Sequence, residues 1–123
     1  MSWWIEIYDD PDTLIHDCPN CGGHHKPSEE VFSVNVTYNV SKMLRYAGLH
    51  KEILDDKDVE YVLPIVDAAY RLMRMNRGFF TQFEAPVQPD GTKWGTYDTT
   101  IDAVEKFWQA LKVASKTNIV RWY

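Results

Sequence analysis

Two cysteines and three histidines lie within residues 16–25 and carry side chains that bind metal ions. Cys18 and Cys21 are separated by two residues, a gap that lets both sulfurs face one tetrahedral ion. His16, His24 and His25 supply imidazoles within a few residues of the thiols. We therefore predict a metal site at Cys18, Cys21 and these three histidines, of which the adjacent His24 and His25 are not expected to bind one ion together.

Zinc is the predicted metal, and its predicted role is structural. The Cys-Pro-x-Cys-Gly turn is typical of zinc knuckles, in which the Pro and Gly shape the loop around sulfur. Residues 16–28 contain two Pro, two Gly and almost no apolar side chains, so ion binding would supply the ordering energy that burial cannot. The third and fourth ligands stay open, because His50 could also reach the ion from elsewhere in the chain.

Two other interpretations of the cysteine pair compete with structural zinc. The first is a reduced loop without metal. The second is a redox pair, which Gly22 and Gly23 disfavour because redox Cys-x-x-Cys motifs usually open a helix. A catalytic zinc would need an open coordination position and a nearby general base, which the sequence does not indicate, so a metal-dependent hydrolase is only an alternative.

A second group of residues has the chemistry of a small-molecule pocket. Amide and aromatic side chains occur where a predicted strand runs into a helix and again just before the last helix, and such element ends often build pockets. Helix capping and burial in the core explain the same residue types equally well, and a basic stripe is often a solvated helix face. The predicted small-ligand or nucleotide site consists of Asn35, Tyr38, Asn39, Trp94 and Tyr97, with Arg71 or Arg74 contacting phosphate.

Charge and hydropathy limit the classes of function. The chain has 13 basic and 18 acidic residues, a net charge of -5, so nothing attracts it overall to nucleic acid or to anionic membranes. No apolar run approaches the ~20 residues of a membrane helix, and no signal peptide is recognisable, so we expect a cytoplasmic protein without membrane contact. Phosphate-loop, nucleophile-elbow, zincin and EF-hand motifs are lacking, which favours a binding protein over an enzyme.

The elements that position these residues form one α+β domain over residues 1–123. Residues 3–8, 31–38 and 119–123 are predicted strands of a small antiparallel sheet, because apolar residues alternate or β-branched and aromatic residues dominate there. Predicted helices near 40–47, 63–76 and 99–115 cover one face of that sheet. Gly48 is predicted to end the first helix and Gly78 the second. Residues 55–58 are predicted to form a turn, and Pro64 to lie in the first turn of the second helix. Asp98 or Thr99 is predicted to cap the third helix.

Several segments resemble small uncharacterised proteins found among phage, prophage and bacterial sequences. The similarity covers most of residues 31–111. It rests on the start Met1-Ser2-Trp3, on Asn35-Val36-Thr37-Tyr38-Asn39, on Leu63-Pro64 and on Trp94-Gly95-Thr96-Tyr97. It implies a phage accessory protein that binds a host factor, and it transfers no catalytic residue. The segment from Cys18 to His25 departs from that family.

The abundance of aromatic residues predicts a partner surface. Trp3, Trp4, Trp94, Trp122 and the cluster from Phe79 to Phe83 exceed what one modest core must contain. We therefore expect a non-enzymatic binding protein that uses some of these aromatics to contact another protein.

Overall fold

The fold is built on a four-stranded antiparallel sheet. The computed structural model describes residues 2–8, 30–84, 89–91 and 95–123. The strands are β1 (Ser2–Tyr8), β2 (Glu30–Thr37), β3 (Lys57–Asp58) and β4 (Ile119–Trp122), in the spatial order β2-β1-β4-β3. Strand β1 is therefore central, and it pairs with β2 on one side and with β4 on the other.

Two long helices and three short ones occupy the described part of the chain. They are α1 (Ser41–Tyr46), α2 (Lys51–Leu54), α3 (Val59–Met75), α4 (Arg77–Phe80) and α5 (Tyr97–Val113), with 3-10 turns at Tyr38–Val40 and Thr81–Phe83. Asp58 begins α3 by accepting a hydrogen bond from the Tyr61 amide. Thr96 begins α5 in the same way, accepting from the Thr99 amide. Both caps satisfy amides that would otherwise lack partners.

One face of the sheet carries the core. Ile5 and Ile7 of β1 lie opposite Trp122 and Val120 of β4, and all four side chains are buried. Helices α3 and α5 pack on each other and reach this face, and Phe107 of α5 stacks on Phe32 of β2. Because side chains alternate along a strand, Trp4, Glu6, Tyr8, Ser33 and Arg121 belong to the opposite face.

The predicted α+β class and antiparallel sheet are confirmed. The three predicted strands match β1, β2 and β4 closely, and three of the helices match α1, α3 and α5 in position. The turn predicted at residues 55–58 is confirmed only for Asp55 and Asp56, because Lys57 and Asp58 pair with Val120 and Ile119 as a short edge strand.

Three predicted helix boundaries are wrong. Helix α3 begins at Val59, so Pro64 lies inside it instead of in its first turn. Pro64 has no amide hydrogen, so the carbonyl of Glu60 loses its hydrogen-bond partner within the helix. Glu60 is exposed, so water can take the place of that partner. Gly78 does not end α3, which stops at Met75, but lies within α4. The cap of α5 is Thr96, whereas the sequence predicts Asp98 or Thr99.

Gly48, in contrast, ends α1 as predicted. Its φ of +94° is in the left-handed region that glycine adopts without strain, directly after the C-cap residue Ala47. Among the described residues, no helix is long and apolar enough to cross a membrane.

Candidate functional site

The predicted metal ligands Cys18, Cys21, His16, His24 and His25 lie outside the described residues. Within residues 2–8, 30–84, 89–91 and 95–123, no three His, Cys, Asp or Glu side chains are grouped closely enough to hold a metal ion. His50 precedes α2 and lies beside Arg45, Lys51 and Glu52.

The predicted amide and aromatic pocket is described only in part. Trp94 and the side chain of Tyr38 lie outside the described residues. Asn35 is exposed on β2, and its amide donates to Ser2 Oγ at 2.8 Å and to the Trp3 carbonyl at 3.1 Å. The exposed Asn39 follows one residue after Tyr38, and its backbone amide donates to Thr37 Oγ1.

Tyr97 is buried and has a structural hydrogen bond. Its hydroxyl donates to the Met73 carbonyl at 2.7 Å, which joins the start of α5 to the last turns of α3. Burial raises the pKa of this phenol. The guanidinium of Arg77 lies 4.7 Å from the ring centroid of Tyr97 and forms an ion pair with Asp98. Asn35 and Tyr97 thus have different partners, one in the sheet and one between the helices.

Arg71 and Arg74, the predicted phosphate contacts, line an open groove between α3 and α5. The groove has a volume of about 440 Å³ and is completed by Tyr70, Met75 and Trp108. Its size is within the range of small-molecule sites. It contains neither Asn35 nor Tyr97, so the two arginines lie beside Tyr70 and Trp108 and not beside the predicted pocket residues.

Cations pack on the aromatic rings beside this groove. The rings of Tyr70 and Trp108 stack with centroids 4.7 Å apart. Lys112 lies 4.2 Å from the Trp108 centroid, and the Arg74 guanidinium lies 5.6 Å from the Tyr70 centroid. Both distances are within the range of cation–π attraction. Tyr70 is only 5% exposed, so its ring packs in the interior, whereas Arg71, Arg74 and Met75 are exposed to solvent.

A second cluster of aromatic side chains lies where α1, α4 and the turn Thr81–Phe83 meet. Tyr46 stacks on Phe83 with a centroid distance of 4.8 Å, and Phe79 contacts both rings edge-on at 5.8 and 5.4 Å. Phe80 is buried beneath and contacts Phe79 at 5.1 Å. Tyr46 is 57% exposed and Phe79 45%. We call Tyr46, Phe79 and Phe83 the aromatic cluster.

A buried carboxylate occupies the other face of the sheet. Glu6 is only 6% exposed, and its carboxylate accepts hydrogen bonds from the hydroxyls of Tyr8, at 2.6 Å, and Tyr123. Ser33, its neighbour on β2, donates at 3.4 Å. The hydrogen bond to Glu6, together with burial, raises the pKa of Tyr8 far above its usual value.

The aromatic residues of the predicted partner surface differ in their exposure to solvent. Trp122 and Phe80 are buried, whereas Trp4 and Phe79 are each 45% exposed. The sequence did not predict Tyr46 as part of this surface, because it lies at the end of a short helix, two residues before Gly48. Its position away from the apolar line of Val40, Leu44 and Ala47 was the one sign that its side chain is exposed. Tyr70 and Lys112 were missed because their positions depend on how α3 and α5 pack.

Comparison with protein-family models, with curated proteins and with solved structures finds no significant match. The candidate sites therefore stand on their own geometry and chemistry.

Proposed function

We propose that this protein is a non-enzymatic binding protein that contacts a protein partner through the aromatic cluster of Tyr46, Phe79 and Phe83. The observation that supports the proposal best is the mutual packing of three aromatic rings, of which Tyr46 and Phe79 are exposed and Phe83 is half-buried. Exposed aromatics that hold one another in place lose little conformational entropy on binding, and aromatic residues are enriched in the energetic centres of protein interfaces.

The cluster is fixed from three directions. Tyr46 comes from α1, which is anchored by the buried Met43 and Leu44. Phe79 comes from α4, anchored by the buried Phe80, and Phe83 from the turn that follows. A partner that inserts an apolar side chain between these rings would bury surface already arranged to receive it. The resemblance to small phage-type proteins favours a host protein as that partner.

The proposal includes a structural zinc ion held by Cys18 and Cys21 with histidine ligands from His16, His24 or His25. Its support is the spacing of the thiols and the lack of apolar residues in the segment. Zinc would order that segment and would take no part in chemistry.

Substitution of the aromatic cluster tests the protein-binding role. The double variant Tyr46→Ser with Phe79→Ser removes the two most exposed rings of the cluster. It should reduce the affinity for a partner identified with the wild-type chain by at least about tenfold, since the loss of even one hot-spot aromatic costs roughly 2 kcal/mol. Binding is measured by surface plasmon resonance, with thermal unfolding to check the fold.

Tyr61 provides the matched control. It is an exposed tyrosine on α3, 48% accessible and outside the cluster. Tyr61→Ser should leave partner binding unchanged. Equal loss in the control, or full binding by the cluster variant, would remove the aromatic cluster from the proposal.

The zinc is tested separately by metal analysis of the purified protein and of the Cys18→Ser with Cys21→Ser variant. We expect one zinc per chain in the wild type, none in the variant, and a lower unfolding temperature after EDTA treatment. A metal-free protein that is equally stable in EDTA contradicts the zinc assignment and leaves the aromatic cluster untouched.

A further inference from the structure

The two edges of the sheet differ in length and in charge. The edge strand β3 has only two residues, Lys57 and Asp58, and both are charged and exposed. Short strands and lysines at an edge oppose pairing with another chain. The opposite edge is β2, which is eight residues long. Alternate backbone N–H and C=O groups of β2 point outward, and no strand in the described part of the chain pairs with them.

The sequence of β2 has few features that would block such pairing. It reads EVFSVNVT, with no Lys, Pro or Gly, and its only charged residue is Glu30 at the start. Five of the eight residues are Val, Phe or Thr, which are enriched in strands. One protective feature is present, a bulge at Val31, where the register with β1 shifts. Because a bulge bends and twists its strand, regular pairing is confined to the residues from 32 to 37.

The hydrophobic core is incompletely covered at this edge. Phe32 and Val34 of β2 pack against the core but are only half-buried. Their partners on β1, Ile7 and Ile5, are 0% and 5% exposed. A further strand beside β2 would cover the remaining surface of Phe32 and Val34, and the burial of apolar surface is favourable.

We infer that β2 pairs antiparallel with β2 of a second copy of this chain and joins the two sheets into one of eight strands. Centred on Val34, the pairing places Phe32 opposite Val36 of the second copy on the core face. It places Ser33 opposite Asn35 of the second copy on the other face. Directly opposite residues of antiparallel strands point to the same face, so apolar side chains meet apolar ones and polar side chains meet polar ones.

The charge and the symmetry of this pairing favour a second copy as the partner and a dimer as the assembly. Residues 31–37 carry no charge, so two chains of net charge -5 bring no like charges together along the paired strands. Two identical antiparallel strands are related by a two-fold axis, so the contact is closed. The outer edges of the joined sheet are then the short, charged β3 strands of both copies, which oppose further growth. The aromatic cluster lies outside β2 and stays accessible to another protein.

The first test is sedimentation velocity of the whole chain over a range of protein concentrations. We expect a reversible monomer–dimer equilibrium whose mass approaches twice the 14.4 kDa of one chain. A monomer at every concentration would overturn the inference. Growth beyond the dimer would also overturn it, because a two-fold contact between β2 strands leaves no second β2 edge.

Hydrogen exchange of the backbone amides tests whether β2 forms the contact. Every second amide from 32 to 36 points outward and should exchange more slowly at high protein concentration, where a second β2 strand accepts its hydrogen bond. The alternate amides, which already face β1, should change less. A dimer in which all β2 amides exchange as in the monomer is formed through another surface and contradicts the inference.

A double lysine variant of β2 tests the same contact by substitution. Val31→Lys with Asn35→Lys changes two exposed residues of β2 and should weaken dimerisation by about tenfold or more. The reason is that lysines on an edge strand oppose pairing and approach the lysines of the second copy. Asn35→Lys also removes the hydrogen bonds to Ser2 and to the Trp3 carbonyl, so thermal unfolding of the monomer checks the fold.

The matched control makes the same two exchanges on α5. Gln109→Lys with Val113→Lys also replaces one exposed amide and one exposed valine by lysine, so the net charge changes equally. It should change the dimerisation constant by less than about twofold, because surface charges beyond a Debye length are screened. Equal weakening by both variants, or full dimerisation of a folded β2 variant, would overturn the inference.

Discussion

The indole Nε1 of Trp108 donates a hydrogen bond to Oδ1 of Asp67, 2.9 Å away, and joins α5 to α3 across 41 positions of the sequence. The other carboxylate oxygen of Asp67 pairs with Arg71 at 3.1 Å. Asp67 therefore connects two helices and orients one wall of the groove. The sequence has 18 acidic residues and does not distinguish Asp67 from the others.

Asp67→Ala should destabilise the fold by roughly 1–2 kcal/mol, because the part-buried indole N–H loses its acceptor. Asp67→Asn retains an acceptor oxygen and should cost less than half as much. Urea unfolding followed by far-UV circular dichroism measures both. If the two variants are equally stable, the hydrogen bond to Trp108 contributes nothing to the packing of α3 on α5.

The two glycines that were predicted to end helices should respond oppositely to alanine. Gly48 has a φ of +94°, so Gly48→Ala should cost roughly 1–2 kcal/mol in backbone strain, although nothing lies within 4 Å of the added methyl group. Gly78 lies in α4 without a positive φ and with equally open surroundings, so Gly78→Ala should stabilise the protein by about 0.5–1 kcal/mol. Chemical denaturation of the two variants checks the signs, and a loss of stability in Gly78→Ala would contradict its helical placement.

The cap of α5 is tested by comparing two threonines. Thr96→Ala removes the side chain that accepts from the Thr99 amide and should cost about 1 kcal/mol. Thr99→Ala keeps this cap and removes an exposed hydroxyl that contacts the Thr96 carbonyl and hydroxyl, so it should cost less. Unfolding in guanidinium chloride measures the stability of both variants. Thr96→Ser, which keeps the capping hydroxyl, is the control. A larger loss for Thr99→Ala than for Thr96→Ala would contradict Thr96 as the cap.

The hydrogen bond between Tyr8 and Glu6 predicts that the folded state loses stability at alkaline pH. The hydrogen bond to Glu6 raises the pKa of Tyr8 in the folded protein above its ordinary value of 10.0. The stabilisation is therefore fully present below pH 10.0, where Tyr8 is neutral in both states, and it is lost as the pH rises toward the folded pKa, because only the unfolded chain then releases the proton.

Glu6→Gln removes the carboxylate and should lower the pKa of Tyr8 toward 10.0. Ultraviolet absorbance of tyrosinate during an alkaline titration measures it, with Tyr8→Phe identifying the contribution of Tyr8 among the seven tyrosines. An unchanged titration in Glu6→Gln would show that Glu6 does not control the phenol.

Most of the fold was predictable because it follows from side-chain periodicity. Alternation predicts β1 and β2. The apolar spacing of α5 predicts Val104 and Leu111 on one stripe and Phe107 beside it, and all three are buried. Strand β3 has two residues and no periodicity, so only its pairing with β4 defines it. The start of α3 was misplaced because the acidic segment before it indicates a turn, while Asp58 in fact caps the helix.

The candidate sites were less predictable because they combine distant segments. Phe79 and Phe83 follow from sequence clustering, but Tyr46, which joins them, comes from a helix more than thirty positions earlier. Trp108 has the spacing of a core residue, and only the packing of α5 on α3 places its ring against Tyr70. Side-chain periodicity describes one element at a time and contains no information about such pairs.

The central position of β1 also affects how the chain acquires its structure during synthesis. Glu6 and Tyr123 are 117 positions apart, and Trp122, whose side chain completes the core opposite Ile5, is translated long after β1. Until residues 119–122 leave the ribosome, β2 is the only one of the described strands with which β1 can pair. Contacts of such large sequence separation form slowly, so we expect the addition of β4 to be a slow step in completing the sheet.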